Sequence, residues 1–218
     1  MNLAQSPRTA ALLFDLDGTL WDPAAGIAAA WNRVLRRHTI VWPEVTPDHI
    51  RAVTGLPHES CVRAIFSALS ETQIQLLNRE TQEEDKRIFT QSPLPLLAGV
   101  NEGIPALAKR HPLFIVSNCQ SGYIEEFLNA SGLAPHFTDW ECWGNTGRPK
   151  GHNLKMVIER NKLTPLTCAF IGDTVSDEAA ATLCQVPYFH VNYGYGTAHG
   201  HKTFTAFTEL VSYFLAEN

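Results

Sequence analysis

The chain has 218 residues, with 17 Lys and Arg against 22 Asp and Glu for a formal net charge of −5. That balance lacks the basic face a general nucleic-acid or membrane-surface binder needs, so a small ligand is expected instead. Five scattered cysteines with no Cys-x-x-Cys pair, no apolar run long enough to span a membrane, and no apolar core in the first ten residues predict a reduced, cytoplasmic protein.

Ala10 to Phe14 is a short, continuous apolar run, as expected of a strand buried on both faces of a parallel sheet. Asp15-Leu16-Asp17-Gly18-Thr19 follows it, placing two carboxylates two residues apart where the strand breaks into a turn. Ligands of open α/β sheets bind beyond the carboxyl ends of the strands, so Asp15 is expected at a reactive edge. Asp22 and Pro23 then form a helix start signal, Asp as N-cap and Pro at the first helical position, before Ala24 to Leu35. Thr46-Pro47 repeats the signal. Val62, Ile65, Phe66 and Leu69 have helical spacing, and Glu71 to Phe89 reads as one long surface helix. Ser92-Pro93-Leu94-Pro95 reads as an extended linker, with Asp22-Pro23 its counterpart on the way out.

From Leu96 onward short apolar strands alternate with helices: strands at Leu113 to Val116, Phe137 to Cys142, Cys168 to Ile171 and Tyr188 to Val191, with helices between them. Strand, helix, strand implies a parallel α/β sheet. Phe204, Phe207, Leu210, Val211 and Phe214 share a helical spacing and predict a C-terminal helix packed on that sheet.

Asp15-Leu16-Asp17-Gly18-Thr19 resembles the first signature of the haloacid dehalogenase-like superfamily. Its other three signatures follow in order: Ser117-Asn118 ending an apolar strand, Lys150 opening a helix after Arg148-Pro149, and Gly172-Asp173 with Asp177 at an acidic strand end. The resemblance implies a Rossmann-like α/β core over residues 1–21 and 94–218, with an inserted all-helical cap over residues 22–93. It further implies a phosphatase of the phosphoglycolate phosphatase-like kind, acting on a small phosphorylated metabolite through an aspartyl-phosphate. Asp15 would be the nucleophile and Asp17 the acid and base. Gly18, Thr19, Ser117, Asn118 and Lys150 would bind the phosphoryl group. Magnesium would be held by the Asp15 side chain, the Asp17 carbonyl and the Asp173 side chain, with Asp177 holding metal waters or a neighbouring side chain. The four carboxylates also call for a cation on physical grounds, since like charges about 4 Å apart cost roughly 4 kcal/mol at intermediate dielectric, and an all-oxygen donor set suits magnesium.

The chain departs from the Lys-Pro-x-Pro form of the third signature, which leaves Arg148 as an alternative to Lys150. Thr54-Gly55-Leu56-Pro57-His58 resembles a cap loop that dips towards the active site, making Arg51, Gly55 and His58 candidate substrate residues together with Trp21. Tyr193-Gly194-Tyr195-Gly196 reads either as a loop bordering the site or as a plain glycine turn, and His190, His199 and His201 as loop histidines rather than metal ligands. Rival functions are a phosphomutase of the same superfamily and, in another class, a receiver-like or non-catalytic phosphate-binding module. Asp17 argues against a hydrolytic dehalogenase. A monomer or homodimer is expected.

Overall fold

The computed structural model describes residues 9–90 and 94–216. Six parallel strands form one sheet: β1 Ala11–Phe14, β2 Leu113–Ser117, β3 Asp139–Cys142, β4 Cys168–Gly172, β5 Tyr188–Val191 and β6 Lys202–Phe204. Their order is β3-β2-β1-β4-β5-β6, so the chain builds outward from β1 on one side and then crosses to β4 on the other. The crevice at that reversal, beyond the carboxyl ends of β1 and β4, is where such sheets place their ligands.

The strands are buried on both faces because alternate side chains enter two different cores. Leu12, Phe14, Ile115 and Ile171 face the cluster built with α5 Val100–Ala108, α6 Tyr123–Ser131 and α10 Phe207–Ala216. Leu13, Phe114, Val116 and Phe170 face α8 Lys150–Arg160 and α9 Val175–Cys184. A single turn, α7 Trp143–Thr146, follows β3.

Four helices lie between β1 and α5: α1 Ala24–Arg37, α2 Pro47–Val53, α3 His58–Ile65 and α4 Glu71–Asp85. Capping boxes start two of them, with the Thr46 hydroxyl accepting from the His49 amide and the Ser70 hydroxyl from the Gln73 amide. Asp22 does not cap α1 by itself. The helix begins at Ala24 with Pro23 in the cap position, while Asp22 accepts from the Ala24 amide at 3.0 Å and turns its other oxygen to Arg51.

Two predicted elements differ. The helix expected over 71–89 ends at Asp85 and tightens into a 3₁₀ turn, Lys86–Thr90, which delivers Ile88 and Phe89 into the core. Phe204 ends edge strand β6 and is not part of the last helix, which starts at Phe207, because its backbone pairs with Val191 of β5. Of the expected linker, Ser92 and Pro93 lie outside the described residues. Leu94 and Pro95 run beside the outgoing chain, where Trp21 bridges Leu96, the Asp22 amide donates to Pro95 and the Leu97 amide donates to Leu20.

Candidate active site

Each acidic group at the rim is placed by the end of an element. Asp15 follows β1 directly, Asp173 follows β4, Asp177 lies in the first turn of α9, and Lys150 is the first residue of α8. Lys150 Nζ lies 2.8 Å from Asp15 Oδ1 and 2.7 Å from Asp177 Oδ1, with all three side chains at most 3% exposed. The second oxygen of Asp177 accepts from the Thr174 amide at 2.9 Å and its hydroxyl at 2.6 Å, so the cap of α9 fixes the carboxylate that holds the lysine.

Asp173 is gripped from three directions, with Oδ2 accepting the Tyr195 and Gly196 amides and Oδ1 the Thr19 hydroxyl. Gly18 and Gly194 pack against it so closely that a Cβ on either would lie 2.6 Å or less from an Asp173 side-chain atom, and Gly18 has a φ of +84°. Carboxylate oxygens of Asp15, Asp173 and Asp177 lie within 4.8 Å of one another. Three buried carboxylates against one buried ammonium leave an uncompensated negative charge that burial makes costly. The donor set therefore fits a hard divalent cation.

The electrostatics follow from that crowding. Burial, and then the charge of Asp177, push the Asp15 carboxyl well above the usual carboxylate range, against the pull of Lys150. Burial and Asp177 likewise raise Asp173 to about 6. Burial works against the charge of Lys150, but Asp15 and Asp177 outweigh it and hold the ammonium more firmly than usual. Burial raises Asp17 to about 7, with hydrogen bonds from Trp21 and Tyr123 opposing the rise. A carboxyl in that range both donates and accepts a proton near neutral pH.

Asp15, Asp17, Ser117, Asn118 and Lys150 face a cavity of about 60 Å³, more than the roughly 10–15 Å³ one water requires. The opposite wall is apolar, made by Ile27, Trp31, Ile50, Val53, Leu56 and Cys61 from α1 to α3 and their loops, with His58 and Asp85 the ionisable groups among them. The Asn118 amide donates to the Gly55 carbonyl at 2.7 Å and thereby joins the 54–58 loop to the end of β2.

Not every expected residue lies in the cavity. Gly55 and His58 line it. Trp21 does not: it is buried in a stack with Phe89, ring centroids 5.2 Å apart, and its indole donates to Asp17 at 2.7 Å. Arg51 also lies outside, pairing with Asp22 and Asp48. Arg148 is exposed while Lys150 is buried, so the lysine and not the arginine reaches Asp15. Thr19 is fully buried, and its hydroxyl is given to Asp173.

Sequence reasoning missed Tyr123, whose hydroxyl donates to Asp17, and Gln120 and Asp85, which line the cavity. Asp85 sits in the run Glu83-Glu84-Asp85-Lys86, which reads as a solvated face. The Tyr195-Gly196 pair carried the one usable signal, an aromatic-glycine loop after the last predicted strand.

Residues 12–191 match the model of the haloacid dehalogenase-like hydrolase family. Phosphoglycolate phosphatase of Vibrio vulnificus (strain YJ016) is 26% identical over 216 residues, covering 94% of this chain and 92% of that protein. Among solved structures, a haloacid dehalogenase-like family hydrolase from Streptococcus pneumoniae superposes with a TM-score of 0.82 at 21% identity, covering 94% of this chain and 98% of the other. The HAD-hydrolase YfnB of Bacillus subtilis, in its magnesium-bound form, superposes with a TM-score of 0.73 at 19% identity over 95% and 99%. The chain therefore belongs to the haloacid dehalogenase-like hydrolase family, as a hydrolase of its phosphatase type similar to phosphoglycolate phosphatases.

Proposed function

We propose that the protein is a magnesium-dependent phosphatase that hydrolyses a small phosphate monoester through a phosphoryl group carried on Asp15. The observation that carries this reading is the meeting of Asp15, Lys150, Asp173 and Asp177, residues far apart in sequence, at one rim of the sheet. Phosphate esters resist water so strongly that a catalyst must lower the barrier by roughly 20 kcal/mol. A carboxylate nucleophile divides the displacement into two easier ones.

In the first step an Asp15 carboxylate oxygen forms a bond to phosphorus while the bond to the ester oxygen breaks, and Asp17 gives its proton to the departing alkoxide. In the second, Asp17 takes a proton from water as that water attacks phosphorus, and the Asp15–phosphorus bond breaks to release inorganic phosphate. The Trp21 and Tyr123 donors hold the Asp17 carboxyl in place for both transfers. Lys150 neutralises Asp15 and the transferring group, and Ser117 borders the phosphoryl position. Asp177 orients Lys150. Asp15, the Asp17 carbonyl and Asp173 would hold magnesium, which supplies charge neutralisation at the phosphoryl oxygens. Support for that ion comes from the buried acidic group and from the magnesium-bound state of YfnB.

Residues 22–93 act as a cap in this reading, and the Asn118 to Gly55 hydrogen bond supports it by joining the two parts over the cavity. Closing the site excludes water and strengthens the charge interactions beneath. Asp15→Asn is expected to lower magnesium-dependent phosphate release at least 10³-fold with an unchanged circular dichroism spectrum. Continued phosphate release by that variant would remove Asp15 as nucleophile.

A further inference from the structure

The wall that faces the nucleophile carries no positive charge to spare. Among the described residues lining the cavity, Lys150 is the one lysine or arginine, and it is committed to Asp15 and Asp177. Two cationic side chains of the helical segment, Arg51 and Lys86, are spent elsewhere, Arg51 on Asp22 and Asp48 and Lys86 on Glu83. What the wall offers instead is an imidazole and a carboxylate facing each other, His58 Nε2 3.3 Å from Asp85 Oδ2, both side chains at most 8% exposed. Trp31 donates to the other Asp85 oxygen at 3.0 Å, and the His58 Nδ1 meets Asn78 at 3.0 Å. Whichever of the two holds the proton, this pair contributes no net positive charge.

Two residues lining the same cavity each bury a neutral polar atom without a hydrogen-bond partner, the Gln120 amide nitrogen and the Asn118 amide oxygen. A buried amide atom left unpaired is costly, so the pair marks places where a ligand with hydroxyl groups would be satisfied. A carboxylate brought into the same space would accept from Gln120 but find no free cation among the described lining residues to balance it beside Asp85, and an uncompensated buried charge is penalised far more heavily than a missing hydrogen bond.

Resting on the phosphatase reading, we infer that the cavity selects esters whose leaving alcohol is uncharged and hydroxylated and rejects those bearing a carboxylate, so the specificity departs from the substrate in the relatives' name. Gln120 is the residue assigned to read the hydroxyl. His58 and Asp85 set the charge rule.

The test compares three short esters with magnesium present: 2-hydroxyethyl phosphate, ethyl phosphate and 2-phosphoglycolate, which differ in whether the far end carries a hydroxyl, nothing or a carboxylate. The expected order of kcat/KM is hydroxyethyl, ethyl, phosphoglycolate, with at least tenfold between first and last. Gln120→Leu is expected to bring the hydroxyethyl-to-ethyl ratio close to one. Asp85→Asn, which keeps an acceptor for Trp31, should raise the relative rate on phosphoglycolate at least threefold. Wild-type protein that turns over phosphoglycolate as well as or better than 2-hydroxyethyl phosphate overturns the inference and leaves the phosphatase standing. Absence of phosphate release from every ester overturns both, and because the first comparison uses wild-type protein it does not depend on either variant folding.

Discussion

Asp17 receives hydrogen bonds from two donors of different origin, Trp21 four residues downstream and Tyr123 from α6. The first is local and the second exists because the sheet brings β2 and its following helix beside β1. Trp21→Phe should keep the stack on Phe89 and remove the indole donor, so kcat is expected to fall about three- to tenfold with KM nearly unchanged, read from steady-state phosphate release. Residues of the first kind are legible in sequence. Asp15 and Asp17 follow an apolar run, where a polar group has no packing reason to be, while Asp173 and Lys150 are legible through the resemblance of their motifs to the superfamily's later signatures. Asp85, Tyr123 and Gln120 could not be found that way, since each gains its role only from neighbours that tertiary packing supplies, and a carboxylate among charged neighbours looks like any solvated helix face.

Elements show the same division. Apolar runs bounded by turns gave β1, β2, β4 and β5, and Thr46 and Ser70 open two helices with capping boxes. The spacing of Phe204 fits a helix as well as a strand, and only the hydrogen bonds to β5 decide for the strand. Helix α5 was hidden because Gly103 and Pro105 interrupt its apolar periodicity. One connection between elements carries an expectation of its own. Arg51 of α2 binds Asp22 at 2.7 Å, Tyr195 donates its hydroxyl to the same carboxylate, and the Tyr195 amide reaches Asp173. Arg51 is 37% exposed, and such pairs contribute only about 0.2–1 kcal/mol to stability. Arg51→Ala is therefore expected to change the melting temperature by no more than about 4 °C, yet to raise KM about three- to tenfold by loosening α2 over the cavity, as kinetics and scanning calorimetry on one preparation would show.

At the scale of the whole molecule, the cluster at the rim links stability to pH and to metal. Burial raises the Asp17 carboxyl to about 7 and Asp173 to about 6, from an ordinary value of 3.8. Carboxyls raised in this way take up protons on folding, so the metal-free protein loses stability as pH climbs from about 4 through 7. In a chelator, the melting temperature at pH 8 should lie at least about 3 °C below that at pH 5.5. Millimolar magnesium should restore more of it at pH 8 than at pH 5.5, since the ion would compete with protons for the Asp15 and Asp173 carboxylate oxygens. A larger magnesium effect at the lower pH would contradict this. The sheet order itself was only partly legible: parallel strands follow from alternation with helices, but the crossing from β1 to β4 depends on pairings that periodicity does not encode.

The hydrogen bonds that join Leu20 to Leu97 and Asp22 to Pro95 bring the departure and return of the chain to one doorway. Whatever length of polypeptide is threaded between them, the strands behind see the same two anchored ends. A change of length in the helical segment beyond that doorway is therefore expected to leave the register of β1 against β2 undisturbed.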